Sequence, residues 1–201
     1  MTRPTKDTYF LRMAELVATR ATCLRRQAGC VLVDRFGHVL ATGYNGRPAG
    51  FNHCNHVEKE TFETAAEAGR RYGDLFRAGE AANLDTRDLR GGHLPGDDAD
   101  PAVYRWPHPC RGAAAASGSG LDGCEAVHAE QNALLQCPDV QEIRTVYVTV
   151  SPCIHCVKML LNTGATTVLF REPYPHDETS RQLWEDHQRG WIHHPHDEME
   201  A

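Results

Sequence analysis

Two things are missing from this 201-residue chain, and each removes a class of protein. No apolar run approaches the roughly 20 residues a membrane-spanning helix needs. Met1-Thr2-Arg3-Pro4 leads into no signal-peptide core, so the expectation is a soluble, cytoplasmic protein. Clusters of lysine and arginine are lacking too: 21 basic residues face 27 acidic ones, a net charge of −6. With no basic or aromatic platform, a large nucleic-acid footprint is opposed. One or two local cations would still serve a small anionic substrate. Eight cysteines in a reducing compartment point to metal ligands and core thiols before disulfides. The length suits one domain, residues 1–201, with an insertion.

What the chain does hold is concentrated in His128-Ala129-Glu130 and Ser151-Pro152-Cys153-Ile154-His155-Cys156. Either fragment alone is weak, because Cys-x-x-Cys also serves redox pairs and structural zinc, and His-x-Glu is common on surfaces. In this order, with a strand between, they specify a catalytic zinc. His128, Cys153 and Cys156 supply three ligands and leave one tetrahedral position for water. Glu130 is better used as proton carrier than as ligand.

The spacing carries a structural condition. Residues i and i+2 on a helix point roughly 200° apart. His128 and Glu130 therefore share a centre only if the helix begins there, with His128 at its cap. Val127, Leu134 and Leu135 anchor such a helix through Gln136. Ser151 reads as a second N-cap and Pro152 as the first helical residue, so Cys153 opens a helix and Cys156 shares its face. Two helix N-termini would then favour both thiolates. His155 should point away.

Elsewhere, 7–22 reads as an amphipathic helix with Phe10, Met13, Val17 and Ala21 on one stripe. Strands are expected over 29–33 and 38–42 around the turn Asp34-Arg35-Phe36-Gly37, the first buried on both faces. Gly43-Tyr44-Asn45-Gly46-Arg47-Pro48-Ala49-Gly50 specifies backbone path, and Asn45 can both donate and accept hydrogen bonds, which favours ligand contact. Residues 57–82 read as a polar helix. Residues 83–123 declare no structure and read as an insertion, a lid or an oligomer contact. A strand over 145–150, a helix from Cys153 to about 162 stopped by Gly164, and a parallel strand over 166–170 follow. A helix over 177–189 and an edge strand at Trp191-Ile192-His193 close the chain, with His193, His194 and His196 as a solvated end. This order gives a three-layer α/β/α domain around a central mixed sheet.

His-x-Glu followed by Pro-Cys-x-x-Cys recurs in zinc-dependent nucleobase deaminases. With the glycine loop at 43–50, His128-Ala129-Glu130-Gln131-Asn132-Ala133 and Ser151-Pro152-Cys153-x-x-Cys156 in order, the chain resembles the deoxycytidylate (dCMP) deaminase family, of cytidine deaminase-like fold, from about residue 9 to 175. The zinc motif marks the superfamily; the glycine loop and the Asn-Ala after His-Ala-Glu narrow it to this family. The resemblance implies hydrolysis of dCMP to dUMP, supplying thymidylate synthesis, by homohexamers activated by dCTP with magnesium and inhibited by dTTP. It implies that Asn45 contacts substrate while Tyr44 and Gly46 border the effector. The Ala129 amide would orient the amino group, and Arg26, with Arg25 beside it, is the candidate for the 5′-phosphate.

Bacterial and phage members of that family also carry a structural zinc. Cys23, Cys54, Cys110 and Cys124 are the matching material, with His53 and His56 as competing ligands and buried free thiols as the alternative. Cys30 and Cys137 read as core thiols. Other readings remain: a deaminase of 5-methyl-dCMP or dCTP, or a non-catalytic, zinc-scaffolded nucleotide-binding protein, which the intact Glu130 opposes.

Overall fold

A computed structural model describes residues 3–54, 57–61, 103–107, 110, 112, 119 and 123–196, with 57–61 and 103–107 described as backbone. The described elements run α1 (Lys6–Ala18), β1 (Gly29–Asp34), β2 (Val39–Tyr44), β3 (Val57–Thr61), β4 (Val103–Pro107) and α2 (Ala129–Gln136). They continue with β5 (Ile143–Val150), α3 (Ile154–Leu160), β6 (Thr167–Glu172), α4 (Glu178–Asp186) and β7 (Gly190–His193). Two compact units divide the chain. One comprises 1–21, 27–46 and 127–201, and the other 22–26 and 47–126.

The first unit is built on a five-stranded sheet of order β2-β1-β5-β6-β7. β1 pairs antiparallel with β2 and β5, whereas β5, β6 and β7 run parallel, so the sheet is mixed as expected. Helices cover both faces. Val31 and Val33 of β1 pack with Phe10, Leu11 and Ala14 of α1. Cys30 and Leu32 face the other way, towards Ala129, Ala133, Val157, Leu160 and the fully buried Trp184. A strand covered on both faces needs apolar residues throughout, which explains the weak alternation of β1.

Local chemistry sets most boundaries. The Thr5 side chain accepts the Thr8 N–H at 3.1 Å and starts α1. The helix stops four residues short of the expected end. There the Thr19 hydroxyl donates to the Leu16 carbonyl at 2.7 Å, and Thr19, Arg20 and Ala21 form i→i−3 bonds instead. Asp34 makes the β1–β2 turn by accepting both the Phe36 and His38 N–H groups at 2.8 Å. The tail is not simply solvated: buried Arg171 bonds Glu15 at 2.7 Å and the carbonyl of Pro195 at 3.0 Å.

Two glycines mark where helices lie directly on strands. A Cβ on Gly29 would stand 2.0 Å from the Ala14 carbonyl oxygen of α1. One on Gly43 would stand 2.2 Å from the Ala129 oxygen and 2.3 Å from the Ala133 nitrogen, both backbone atoms of α2. Neither helix can recede without opening the core. Gly43→Ala should therefore destabilise the protein by at least about 3 kcal/mol, the upper part of the overpacking range. A melting temperature within a degree of wild type would contradict this contact.

The second unit corrects two expectations. Residues 57–61 form β3, not part of a helix, and pair antiparallel with β4, which arises inside the stretch that declared no structure. Val103, Tyr104 and Trp106 are strand formers, and pairing with a distant partner overrides the helix-like polarity of 57–61. The remainder of 62–82 and most of 83–123 lie outside the described residues. The same unit contains an Arg47–Glu125 ion pair and a bond from Arg25 to the Ser119 carbonyl at 2.8 Å. Among the described residues, no helix is long and apolar enough to cross a membrane.

Candidate metal centre and active site

His128 is the N-cap of α2, with extended backbone, and Glu130 is the second residue of the helix. The side chain of Gln131 accepts the His128 N–H at 2.9 Å and so fixes the cap. The second helix begins two residues later than expected. Cys153 is the N-cap of α3 and Cys156 lies in its first turn. Ser151 is not a cap, because its hydroxyl donates to Asp177 at 2.7 Å and accepts the Tyr174 N–H at 2.6 Å. Ser151 thereby ties the end of β5 to the loop that follows β6.

These two caps bring three donor atoms together. Nδ1 of His128 is 3.4 Å from Sγ of Cys153 and 3.5 Å from Sγ of Cys156, and the sulfurs are 3.7 Å apart. Tetrahedral zinc with ordinary bond lengths needs separations of about 3.6 Å for N–S and about 3.8 Å for S–S. The donor set fits zinc in both geometry and chemistry. Among the described residues it is the one group of three or more such side chains whose ligand atoms all lie within 4.8 Å of one another. His155 is exposed and outside the group, as expected.

The electrostatics suit the same reading. The hydrogen bond from Cys156, opposed by burial and helped by His128, holds the Cys153 thiol down to about 4. Cys156 is pushed well up by donating that bond and by its own burial. Binding of a divalent cation would displace the thiol protons of the pair. Glu130 is 6 % exposed, and burial raises its pKa above the ordinary carboxylate value. His128 pulls in the opposite direction, and the Cys153 sulfur adds to the rise. A carboxyl raised in this way is a better proton carrier near neutral pH than an ordinary surface glutamate.

The other expected residues fall in several places. Ala129 opens α2 and is buried. Asn45 is half-buried; its side-chain oxygen accepts the Ala28 N–H at 2.8 Å. Tyr44 ends β2, and Gly46 exchanges backbone hydrogen bonds with Val127, one residue before His128. Arg26 belongs to the second unit. Cys30 is buried beneath Glu130 as a core thiol, and Cys137 packs against the core at the end of α2.

Within the second unit, Cys54 and Cys110 are buried together with Cys124 packed against them. Burial pushes the Cys54 thiol up to about 12, with Cys110 and Cys23 close enough to interact. All eight cysteines are free of disulfides. His53 is exposed, 3.4 Å from the Thr22 hydroxyl, and His56 lies outside the described residues.

Three donors spaced for zinc and a buried carboxylate are thus gathered at helix caps on a mixed sheet, the arrangement expected of a zinc-dependent hydrolytic enzyme. The profile of the cytidine and deoxycytidylate deaminase zinc-binding region matches residues 4–172. Deoxycytidylate deaminase of Mycobacterium phage D29 is 33% identical over 172 residues, covering 85% of this chain and 97% of the phage protein. Deoxycytidylate deaminase of Schizosaccharomyces pombe is 30% identical over 183 residues, covering 90% of this chain but 41% of the yeast protein. The chain thus spans about two-fifths of the length of its two yeast relatives. The structure of dCMP deaminase from cyanophage S-TIM5, in complex with dCMP and dUMP, aligns with a TM-score of 0.53 at 20% identity. That alignment covers 95% of this chain and 98% of the phage chain, and it speaks for the fold. The chain belongs to the cytidine and deoxycytidylate deaminase family.

Proposed function

We propose that the chain hydrolyses dCMP to dUMP and ammonia, acting as one deaminase domain with an insertion at about 83–123. The observation that carries this reading is the His128, Cys153 and Cys156 centre with buried Glu130 beside it. The phage D29 relative, matched over 97% of its length, supports dCMP as the substrate.

When bound, zinc supplies Lewis acidity that lowers the pKa of water towards about 7. Glu130 takes a proton from the attacking water as its oxygen bonds to C4 of the pyrimidine, and delivers that proton to N3. Glu130 then moves the remaining hydroxyl proton to the amino group. The C4–N bond breaks, ammonia leaves, and the carboxylate is restored. Ala129, through its backbone amide, and Asn45 are the proposed substrate contacts. Tyr44 and Gly46 are the proposed border of an effector site taking dCTP with magnesium, or dTTP, in a cytoplasmic homo-oligomer.

The test is ammonia release and the ultraviolet shift of zinc-loaded protein on dCMP, with and without dCTP and magnesium. Cytidine, 5-methyl-dCMP, dCTP and a single-stranded oligonucleotide run beside it. Turnover of another member of the panel but not of dCMP would discard this substrate and keep the chemistry.

A second, structural zinc on Cys23, Cys54, Cys110 and Cys124 is also proposed, supported by the shared burial of Cys54 and Cys110. Elemental analysis should find two zinc ions per chain, and one in Cys54→Ser/Cys110→Ser. A single zinc in the unaltered protein would leave these cysteines as buried thiols.

A further inference from the structure

We infer that Asn132 is a positioning residue: its side-chain amide sets the segment Tyr44–Asn45–Gly46 against the metal ligand His128. Asn132 Nδ2 donates to the Tyr44 carbonyl at 2.7 Å, across 88 residues of sequence. The Asn132 N–H bonds the His128 carbonyl at 2.9 Å, which puts Asn132 one helical turn below the ligand on the same face of α2.

Three other ties hold this segment. Gly43 lies on the backbone of α2. The Asn45 side chain is bonded to the Ala28 N–H, and Gly46 and Val127 exchange backbone bonds of 3.2 and 2.9 Å. In this set, Asn132 is the side chain that reaches from the helix carrying His128 and Glu130. Asparagine is a poor helix former, so α2 accommodates it at some cost to local stability. Its donor gives a reason for its presence that helix propensity does not. The amide fixes how far the loop wall stands from the reacting centre, and a small displacement of that wall changes the fit of a bound pyrimidine nucleotide.

This inference rests on the proposed contact between Asn45 and substrate, and the experiment separates the two. Zinc-loaded Asn132→Ala, Asn132→Asp, Asn45→Ala and the Asn45→Ala/Asn132→Ala double variant are assayed on dCMP. Aspartate keeps the shape and removes the donor. Both Asn132 variants should raise KM about 10-fold with kcat within about threefold, the size of one lost hydrogen bond, and with unchanged zinc content. In the Asn45→Ala background, Asn132→Ala should add less than about twofold, since the wall it positions no longer holds the substrate. Unchanged KM in Asn132→Asp, while Asn45→Ala raises it, overturns the role of Asn132 and leaves the loop contact standing. Asn45→Ala without effect on KM overturns the contact itself. A joint loss of zinc, kcat and stability in both Asn132 variants, or an undiminished effect in the double variant, identifies Asn132 as structural and overturns the inference.

Discussion

Glu130→Gln should keep the catalytic zinc and lower dCMP turnover by at least about 10²–10⁴-fold, the usual contribution of a positioned general acid–base. Glutamine has nearly the same shape as glutamate and still fits beside Cys156, but it cannot carry a proton. The carboxyl it replaces is buried, and burial raises its pKa. The proposed cycle uses that group in each proton transfer, so a single substitution interrupts all of them. The measurement pairs ammonia release with elemental analysis of the same sample. Turnover within tenfold of the unaltered protein, at equal zinc, would remove Glu130 from the mechanism.

Cys156→Ser should have an effect of comparable size by a different route. Cys156 is fully buried, 3.7 Å from Cys153 and 3.5 Å from His128 Nδ1. Serine offers a weak, neutral oxygen where a thiolate is needed, so the centre falls to two good ligands. Activity should fall to background and the zinc content should drop by one ion per chain. Adding zinc should not restore activity, whereas chelator-stripped wild-type protein should recover on zinc addition. If the serine variant retained full zinc and turnover, Cys156 would be a core thiol instead. In the Glu130 variant zinc stays while turnover is lost, whereas in the cysteine variant both go. The two results therefore separate proton transfer from metal binding.

Features that depend on short spacing are legible in the residues alone. His128 and Glu130 can face one centre only from a helix cap, and α2 begins there. Cys153 and Cys156, three residues apart at a helix start, have to share a face, and their sulfurs do. The mixed sheet was legible for a related reason, since short apolar strands separated by a turn or by a helix dictate antiparallel and parallel neighbours respectively. Ser151 does not serve as the helix cap that its local sequence favours, because it has a competing acceptor in Asp177, 26 residues later. The Gln131 cap was within reach, because a glutamine three residues after an N-cap is a recognised capping pattern.

Contacts between distant segments follow instead from how the folded elements pack. β3 becomes a strand because β4 is there to pair with it. Cys54 and Cys110 share a buried cluster although a long stretch of chain separates them. Asn132 finds the Tyr44 carbonyl only once β2 has been laid on α2, a closeness that the glycine at 43 permits. Periodicity and capping act over one or two turns of chain, whereas these contacts depend on which surfaces meet after the sheet and helices have packed.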